Sequence, residues 1–404
     1  MMRNSCLLAL VLAVQLPIGV AFGDAGESTV FQRVTLSQSF YSEGANFADI
    51  NGNGHMDIVS GPFWWEGPDF QRRHAYYQQE PIDPASYSEH FFTYTHDLNG
   101  SGYPDVLVIG FPGQEARWYE NPGPEGHDSD WPVHIVFEVV DNESPMFADI
   151  TGDGKPEIIC STEGAFGYLR VNWEKPTEPW TFHAISPPGP AGGRFTHGIG
   201  IGDVNGDGRM DLLEKNGWWE QPESREGDPL WQHHPFEFTP VGGAQMYAYD
   251  VNGDGRNDII TSLHAHAWGL AWFEQIDDGE GGITFRRHDI MTESPDDNPY
   301  GLAISQLHAI ELADMNGDGV KEIVTGKRWW AHGGNDPGGD APAVLYYFAL
   351  ERHENGEVTW VPHEIDDDSG VGTQLVVGDV SGNGLMDVVI GNKKGTFVHL
   401  QKRP

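Results

Sequence analysis

Short apolar stretches recur along the whole chain, and glycine-rich polar loops separate them. Each stretch is four to six residues long, as at residues 57–60 and 105–108, which is the usual length of a β-strand. The third stretch of most sets is rich in aromatic residues, and the fourth carries a histidine shortly after an aromatic residue. Four short strands in every repeat of about 50 residues predict the blade of a β-propeller.

One loop motif joins the first two strands of every repeat. It reads Asp-x-(Asn/Ser/Thr)-Gly-(Asp/Asn/Ser)-Gly-x-x-(Asp/Glu) and occurs seven times. Oxygen-bearing side chains at positions one, three, five and nine can surround one hard cation, and the glycines permit the tight turn. The motif therefore predicts up to seven structural Ca²⁺ sites, with turns that hold no metal as the alternative. The predicted ligands are Asp49, Asn51, Asn53, Asp57, Asp97, Asn99, Ser101, Asp105, Asp149, Thr151, Asp153, Glu157, Asp203, Asn205, Asp207, Asp211, Asp250, Asn252, Asp254, Asp258, Asp314, Asn316, Asp318, Glu322, Asp379, Ser381, Asn383 and Asp387.

The two ends of the chain together make up one repeat. There are 25 residues from Asp379 to the last residue, and another 25 from Asp24 to Asp49. The last repeat ends after its third strand, and residues 30–36 fit the missing outer strand. The sequence therefore predicts an all-β, seven-bladed β-propeller over residues 24–404. Its blades are four-stranded and antiparallel, and the N-terminal strand completes the last one.

These loops and repeats resemble FG-GAP/VCBS repeat proteins, the seven-bladed propellers related to the head of integrin α-subunits. The resemblance rests on loops such as residues 203–211 and extends over essentially all of residues 24–404. It implies the propeller fold and bound Ca²⁺. It says little about function, because propellers serve many functions.

Charge and the N-terminal segment limit the partners and the location. The chain has 61 acidic and 23 basic residues and a formal net charge of −38, which makes nucleic acid a poor partner. Residues 1–23 have the pattern of a signal peptide, with Arg3 before an apolar run that is short for a membrane span. We expect a secreted or periplasmic monomer without a membrane span.

Comparison among the repeats separates scaffold residues from candidate site residues. Histidines on the outer strands, such as His74 and His134, recur from repeat to repeat and are predicted to be structural. Polar residues that break the repeat fall on connections at the face opposite the loops, where seven blades would bring them around one axis. The candidate catalytic residues in this funnel are His197, His264, His266, His308, Lys327, Arg328 and His332.

The funnel histidines suggest a second kind of metal site. His264 and His266 would project from one side of an extended segment, and His197 and His308 would join them. Imidazole clusters suit Zn²⁺ or another transition metal better than Ca²⁺. The alternative is that each histidine caps a turn or lines a wet pore, and both interpretations stay open here.

Two hypotheses for function follow. The first is a carbohydrate lyase or dehydratase that uses metal-assisted β-elimination, which the ionisable funnel favours. Residues 196–198, 264–266 and 325–333 also resemble the propeller domain of fungal aldos-2-ulose dehydratase. That enzyme has cupin domains fused to its propeller, and we expect any chemistry that belongs to them to be absent here. The second hypothesis is a non-catalytic propeller module that binds a glycan or a protein.

Overall fold

A computed structural model describes residues 30–403. The predicted signal peptide, residues 1–23, lies outside this range. Within residues 30–403 the regular structure is β-strand, apart from one 3₁₀ helix at Pro295–Asp297. No helix in this part of the chain is long and apolar enough to cross a membrane.

The strands are short, and their order follows the repeats predicted from the sequence. They are β1 (Val30–Ser37), β2 (Asn46–Ala48), β3 (Asp57–Ser60), β4 (Phe63–Trp65), β5 (Arg73–Ala75), β6 (Phe92–His96), β7 (Asp105–Ile109), β8 (Gln114–Tyr119), β9 (Val133–Val140), β10 (Met146–Ala148), β11 (Glu157–Thr162), β12 (Ala165–Arg170), β13 (Thr181–Ala184), β14 (Ile199–Gly202), β15 (Asp211–Glu214), β16 (Gly217–Glu220), β17 (Gln232–Pro235), β18 (Met246–Tyr249), β19 (Asp258–Ser262), β20 (Leu270–Asp277), β21 (Ile283–Met291), β22 (Leu307–Ala313), β23 (Glu322–Lys327), β24 (Leu345–Arg352), β25 (Val358–Asp366), β26 (Leu375–Gly378), β27 (Asp387–Asn392) and β28 (Gly395–Lys402).

Antiparallel pairing groups the strands into four-stranded units. Units 1 to 6 are β2–β5, β6–β9, β10–β13, β14–β17, β18–β21 and β22–β25, and unit 7 is β26–β28 with β1. In unit 7, β1 pairs with β28 from Val30 opposite Lys402 to Ser37 opposite Thr396. The first strand of the described chain is thus the outer strand of the last unit, as the sequence predicted.

Units 4 and 5 are not separate sheets. Their first strands, β14 and β18, pair in parallel, so the two units form one eight-stranded sheet beside five four-stranded ones. Glycine makes this approach possible, because a Cβ on Gly200 would lie 1.9 Å from the carbonyl oxygen of Met246 and one on Gly202 would lie 2.3 Å from Cβ of Ala248. The structure therefore departs here from the expectation of seven separate four-stranded sheets.

Apolar side chains pack between consecutive units around a closed ring. Each of seven buried clusters draws its members from two neighbouring units. One of them joins Ile58 and Trp65 of unit 1 to Val389 and Val398 of unit 7. Burial between the units, rather than one central core, holds the all-β propeller together.

The recurrent histidines stabilise the outer strands, as predicted. In units 1 to 6 an outer-strand histidine packs against an aromatic ring of the third strand; His234 stacks on Trp218 with ring centroids 4.1 Å apart. Nε2 of His234 also lies 2.7 Å from a carboxylate oxygen of Glu220. The same arrangement recurs in unit 1, where His74 stacks on Trp64 and contacts Glu66.

The seven loops join the first and second strands of the units, and each ends in a buried carboxylate. The side chains at the ninth loop position are at most 1% exposed. In Asp57, Asp105, Asp211 and Asp258, one oxygen accepts the N–H of the second loop residue and the other accepts an N–H near the end of the third strand. This residue therefore connects its loop to the rest of the unit.

Deletion of residues 30–36 tests the closure of the ring. The deletion removes most of β1 and exposes the edge of β28, and exposed edges invite intermolecular pairing. We expect aggregation or loss of the soluble protein in size-exclusion chromatography, whereas deletion of residues 24–29, which spares β1, should have little effect. A soluble monomer with native circular dichroism after deletion of residues 30–36 would show that closure does not need β1.

Candidate functional site

Four side chains, three from connections and one from the start of a strand, meet on the face opposite the loops. Glu143 lies between β9 and β10, His197 just before β14, His266 between β19 and β20, and His308 on β22. One ligand atom of each lies within 4.8 Å of the ligand atoms of all the others. We call these four residues the histidine cluster.

The imidazole nitrogens of the histidine cluster point at one another. Nε2 of His197 lies 3.2 Å from Nε2 of both His308 and His266, and 3.3 Å from a carboxylate oxygen of Glu143. Nε2 of His308 lies 3.1 Å from the same oxygen. The nitrogen of a neutral imidazole either donates or accepts one hydrogen bond, so these contacts cannot all be hydrogen bonds within the protein.

The backbone holds His197 close to Glu143. The N–H of Glu143 donates to the carbonyl of Thr196 at 2.8 Å. On the other side of His197 lies the backbone of Gly242. The φ angle of Gly242 is 88°, and a Cβ on this residue would lie 2.3 Å from the carbonyl oxygen of His197. Only glycine fits such a close approach at positive φ.

Arg328 and Glu43 form a buried ion pair beside the histidine cluster. Their side chains are 3% and 1% exposed, and Nε of Arg328 donates to Glu43 at 3.1 Å. Nη1 of Arg328 lies 2.8 Å from Nε2 of His308 and 3.5 Å from Glu143. Burial, with the Arg328 charge adding to it, lowers the pKa of His308 to about 3, so the imidazole is neutral and its Nε2 lone pair accepts from Nη1 of Arg328.

Asp336 connects the histidine cluster to His332, which lies outside it. One of its oxygens lies 2.8 Å from Nδ1 of His332, and the other lies 3.3 Å from Nδ1 of His266. The two rings pack with centroids 4.4 Å apart. The His332 side chain is half exposed, so its Nε2 is the accessible nitrogen of this pair. Asp336 lies four residues after His332 and was not predicted as a site residue from the sequence.

A cavity of about 430 Å³ opens onto these groups. Glu143, His197, His266, Arg328 and His332 line one part of it. The rest is lined by four aromatic residues, which we call the aromatic wall: Tyr87, Phe91, Phe111 and Phe195.

Two predicted funnel residues have other contacts. Residues 264–267 form a turn rather than an extended segment, and Nδ1 of His264 accepts the N–H of His266 at 3.1 Å. His264 therefore caps this turn and lies outside the histidine cluster. Lys327 is buried, and its ammonium donates to the carbonyls of Gly338 and Ala341. It anchors the insertion that carries His332 and Asp336.

The predicted ligand side chains of the seven loops all carry oxygen atoms. In every loop the first aspartate accepts the backbone N–H groups of the fifth and sixth residues. Carboxylate, amide and hydroxyl oxygens suit Ca²⁺, so the donor set fits this ion. Asp207 and Asp254 also pair with Arg209 and Arg256, which already neutralise part of the charge in those loops.

Comparisons with known proteins agree with the repeats. A family profile described as an FG-GAP-like repeat matches residues 97–160 and 149–214. Integrin alpha-PS3 of Drosophila melanogaster is 25% identical over 193 residues, which are 44% of this chain and 16% of that protein. The match thus spans about one sixth of the integrin. The chain contains FG-GAP-like repeats, and its homology to the integrin α-subunit is weak.

Solved structures agree with the fold. The crystal structure of BBS1N in complex with ARL6DN has a TM-score of 0.51 at 10% identity, covering 94% of this chain and 98% of that one. A lectin from Agrocybe aegerita that recognises non-reducing terminal N-acetylglucosamine has a TM-score of 0.47 at 17% identity, covering 94% and 87%. The first likeness supports the propeller fold alone.

Substitution of Arg328 tests the buried ion pair. Arg328→Met leaves Glu43 buried without its cation, and breaking such a pair costs about 3–5 kcal/mol of unfolding free energy. The matched control is Arg33→Met, because Arg33 pairs with Asp366 at the surface and such pairs contribute about 0–1 kcal/mol. Urea unfolding measures both. Equal effects of the two substitutions would contradict the role assigned to Arg328.

Proposed function

We propose that the histidine cluster is a transition-metal centre, with Zn²⁺ as the preferred ion. The observation that carries this proposal is the convergence of three Nε2 atoms and a carboxylate oxygen that cannot satisfy one another by hydrogen bonds. A cation at their centre would use a lone pair of each. Imidazole and carboxylate ligands are those that catalytic zinc sites use.

The spacing of the ligand atoms supports the proposal. Zn–N bonds of about 2.0–2.1 Å in a tetrahedron place neighbouring ligand atoms roughly 3.3 Å apart. Four of the distances within the histidine cluster are 3.2, 3.2, 3.3 and 3.1 Å. Asp336 would act from behind, because a metal-bound histidine usually donates its other N–H to a carboxylate.

Arg328 is the competing explanation. Its guanidinium already contacts His308 and Glu143, so it could neutralise the carboxylate without a metal. The guanidinium lies against His308, however. It therefore does not account for the close contacts that His197 makes with His266 and His308. In the proposed centre Arg328 retains Glu43 as its partner.

The function that this site supports best is a carbohydrate lyase or dehydratase. A metal in the cluster would polarise a carbonyl or carboxylate of the substrate. Nε2 of His332 takes the proton from the adjacent carbon, since Nδ1 faces Asp336. The C–H electron pair forms a C=C bond, the C–O bond at the next carbon breaks, and the leaving oxygen takes up the proton that His332 removed, which returns His332 to its neutral form.

A binding module is the second candidate. The cavity has an aromatic wall, and exposed aromatic side chains are what a glycan-binding or protein-binding propeller would present. In this alternative the histidine cluster holds its ligand without bond cleavage. Elimination activity distinguishes the two functions.

We further propose that the scaffold has seven blades and binds Ca²⁺. We count the eight-stranded sheet as two blades, which makes seven, because units 4 and 5 are each a complete four-stranded unit. The loops bind structural Ca²⁺ through the oxygens that the sequence predicts. The protein is a monomer that residues 1–23 direct to the periplasm or the outside of the cell.

Metal analysis tests the histidine cluster. His197→Ala removes the nitrogen that contacts all three other members of the histidine cluster and should reduce bound Zn²⁺ at least tenfold while Ca²⁺ stays, because the two ions use different ligands on opposite faces. His264→Ala is the matched control and should keep both ions. Elemental analysis after dialysis with Zn²⁺ and Ca²⁺ gives both contents.

The same samples test the reaction. Absorbance of a conjugated product from keto-sugars or uronate-containing glycans should fall with the Zn²⁺ content. Wild-type protein that holds only Ca²⁺ would contradict the metal centre. Zn²⁺-loaded protein that binds a glycan but forms no conjugated product would favour the binding module.

Chelation tests the loops. Bound Ca²⁺ stabilises the folded state, so excess EGTA should lower the melting temperature by about 5 °C or more. In Ca²⁺ buffer, Asp318→Ala should lower it more than Ser101→Ala, because Asp318 contributes a carboxylate that no arginine within residues 30–403 neutralises. An unchanged melting curve after confirmed loss of Ca²⁺ would contradict a structural role for the ion.

A further inference from the structure

The aromatic wall breaks the repeat of the propeller. Tyr87, Phe91 and Phe111 come from the two connections of unit 2 on the face of the histidine cluster, and Phe195 precedes unit 4. Their rings pack in sequence, with centroids 5.1 Å apart for Tyr87 and Phe111 and 5.5 Å apart for Phe111 and Phe195. The first three are partly or fully covered, but Phe195 is 46% exposed at the mouth of the cavity.

Phe195 has a backbone conformation that suits glycine or asparagine better than phenylalanine. Its φ is 66°, in the left-handed region, where a bulky side chain is strained. Its N–H donates to the carbonyl of Asp141 at 2.9 Å, and the hydroxyl of Thr196 donates to carbonyls of Ala191 and Gly193. These hydrogen bonds hold the backbone of Phe195 in its strained conformation, so the exposed phenyl ring stays over the cavity.

We propose that Phe195 is a specificity-determining residue that packs against the apolar face of a pyranose-sized ring bearing a carbonyl or carboxylate. This inference rests on the proposed function of the histidine cluster. About half of Phe195 is exposed, so this part of the side chain is available to a ligand while the rest packs on Phe111. Strained residues of this kind concentrate at functional sites.

The two sides of the cavity select the shape of the ligand. One side is aromatic, and the other presents His332, Arg328 and the histidine cluster. A sugar ring matches both, because its axial C–H groups form an apolar face while its oxygens lie along the edge. A planar aromatic acid would expose a second apolar face to polar groups, and an acyclic hydroxy acid has no face for Phe195. The volume of 430 Å³ is in the range of small-molecule sites, about 300–1,000 Å³.

The test uses the Zn²⁺-loaded full chain and three probes: methyl β-D-glucuronide, benzoate and tartrate. Calorimetry should show the tightest binding for the glucuronide. Phe195→Asn should weaken that binding roughly tenfold, because the aromatic contact is lost, while the melting temperature stays equal or rises because φ is relieved. Phe195→Tyr should bind like the wild type, and Tyr300→Asn, which replaces another exposed aromatic residue away from this cavity, should change nothing.

Saturation-transfer NMR gives a second measurement. Protons H1, H3 and H5 lie on one face of the glucuronide and should receive more saturation than H2 and H4, and Phe195→Asn should remove the difference. Tartrate or benzoate that binds as tightly as the glucuronide, or unchanged glucuronide affinity in Phe195→Asn, would overturn this proposal and leave the metal centre intact. Equal glucuronide binding with and without Zn²⁺ would instead contradict the role of the metal in binding, whatever the effect of Phe195.

Discussion

Every unit of this propeller depends on a buried carboxylate at the end of its loop. Asp105 is fully buried, and its two oxygens accept the N–H groups of Leu98 and Asn121 at 2.9 and 2.8 Å. A buried carboxylate must be satisfied in this way, and burial still raises its pKa to about 7. The residue fixes the loop, the second strand and the end of the third strand relative to one another. The aspartate or glutamate at position nine therefore has a structural role even before any ion binds.

This constraint leaves one face of the ring free to vary. The loops sit between first and second strands, so all seven carboxylates act on the same face. The connections on the other face take no part in this network. Glu143, His197 and His266 come from three such connections and His308 from the start of β22, and they meet because the ring brings the units around one axis. A site assembled from distant parts of the sequence thus needs no change in the repeated scaffold.

The sequence was sufficient for everything that repeats. The loops, the strand order and the closure by β1 follow from spacing, because each unit solves the same packing problem. Of the funnel residues, His197, His266, Arg328 and His332 line one cavity, and His308 lies buried behind them in contact with His197 and Arg328.

The predictions that the structure does not bear out failed for local physical reasons. The expectation for His264 assumed an extended segment, but residues 264–267 turn and its ring caps the backbone. Units 4 and 5 can join because Gly200 and Gly202 are glycines and have no side chain. Asp336 contributes because the insertion that carries it folds back against His266. No periodicity encodes such contacts.

On the face of the histidine cluster, residues with strained backbone conformations lie close in sequence to the site histidines. Among the described residues, six that are not glycine have positive φ, and three of them are Phe195, Gln306 and Trp330. Each precedes a site histidine by two positions: His197, His308 and His332 respectively.

Gln306 illustrates what such a conformation achieves. Its N–H donates to the carbonyl of Ala267, beside His266, and its carbonyl accepts the N–H of Arg328. One strained residue thus connects the turn that presents His266 to the arginine that contacts His308. A left-handed residue reverses the chain sharply, so the side chain two positions later can point toward the axis instead of following the strand. The repeated parts of the scaffold have relaxed backbone conformations. Strained conformations are retained at the residues that bring the site side chains together.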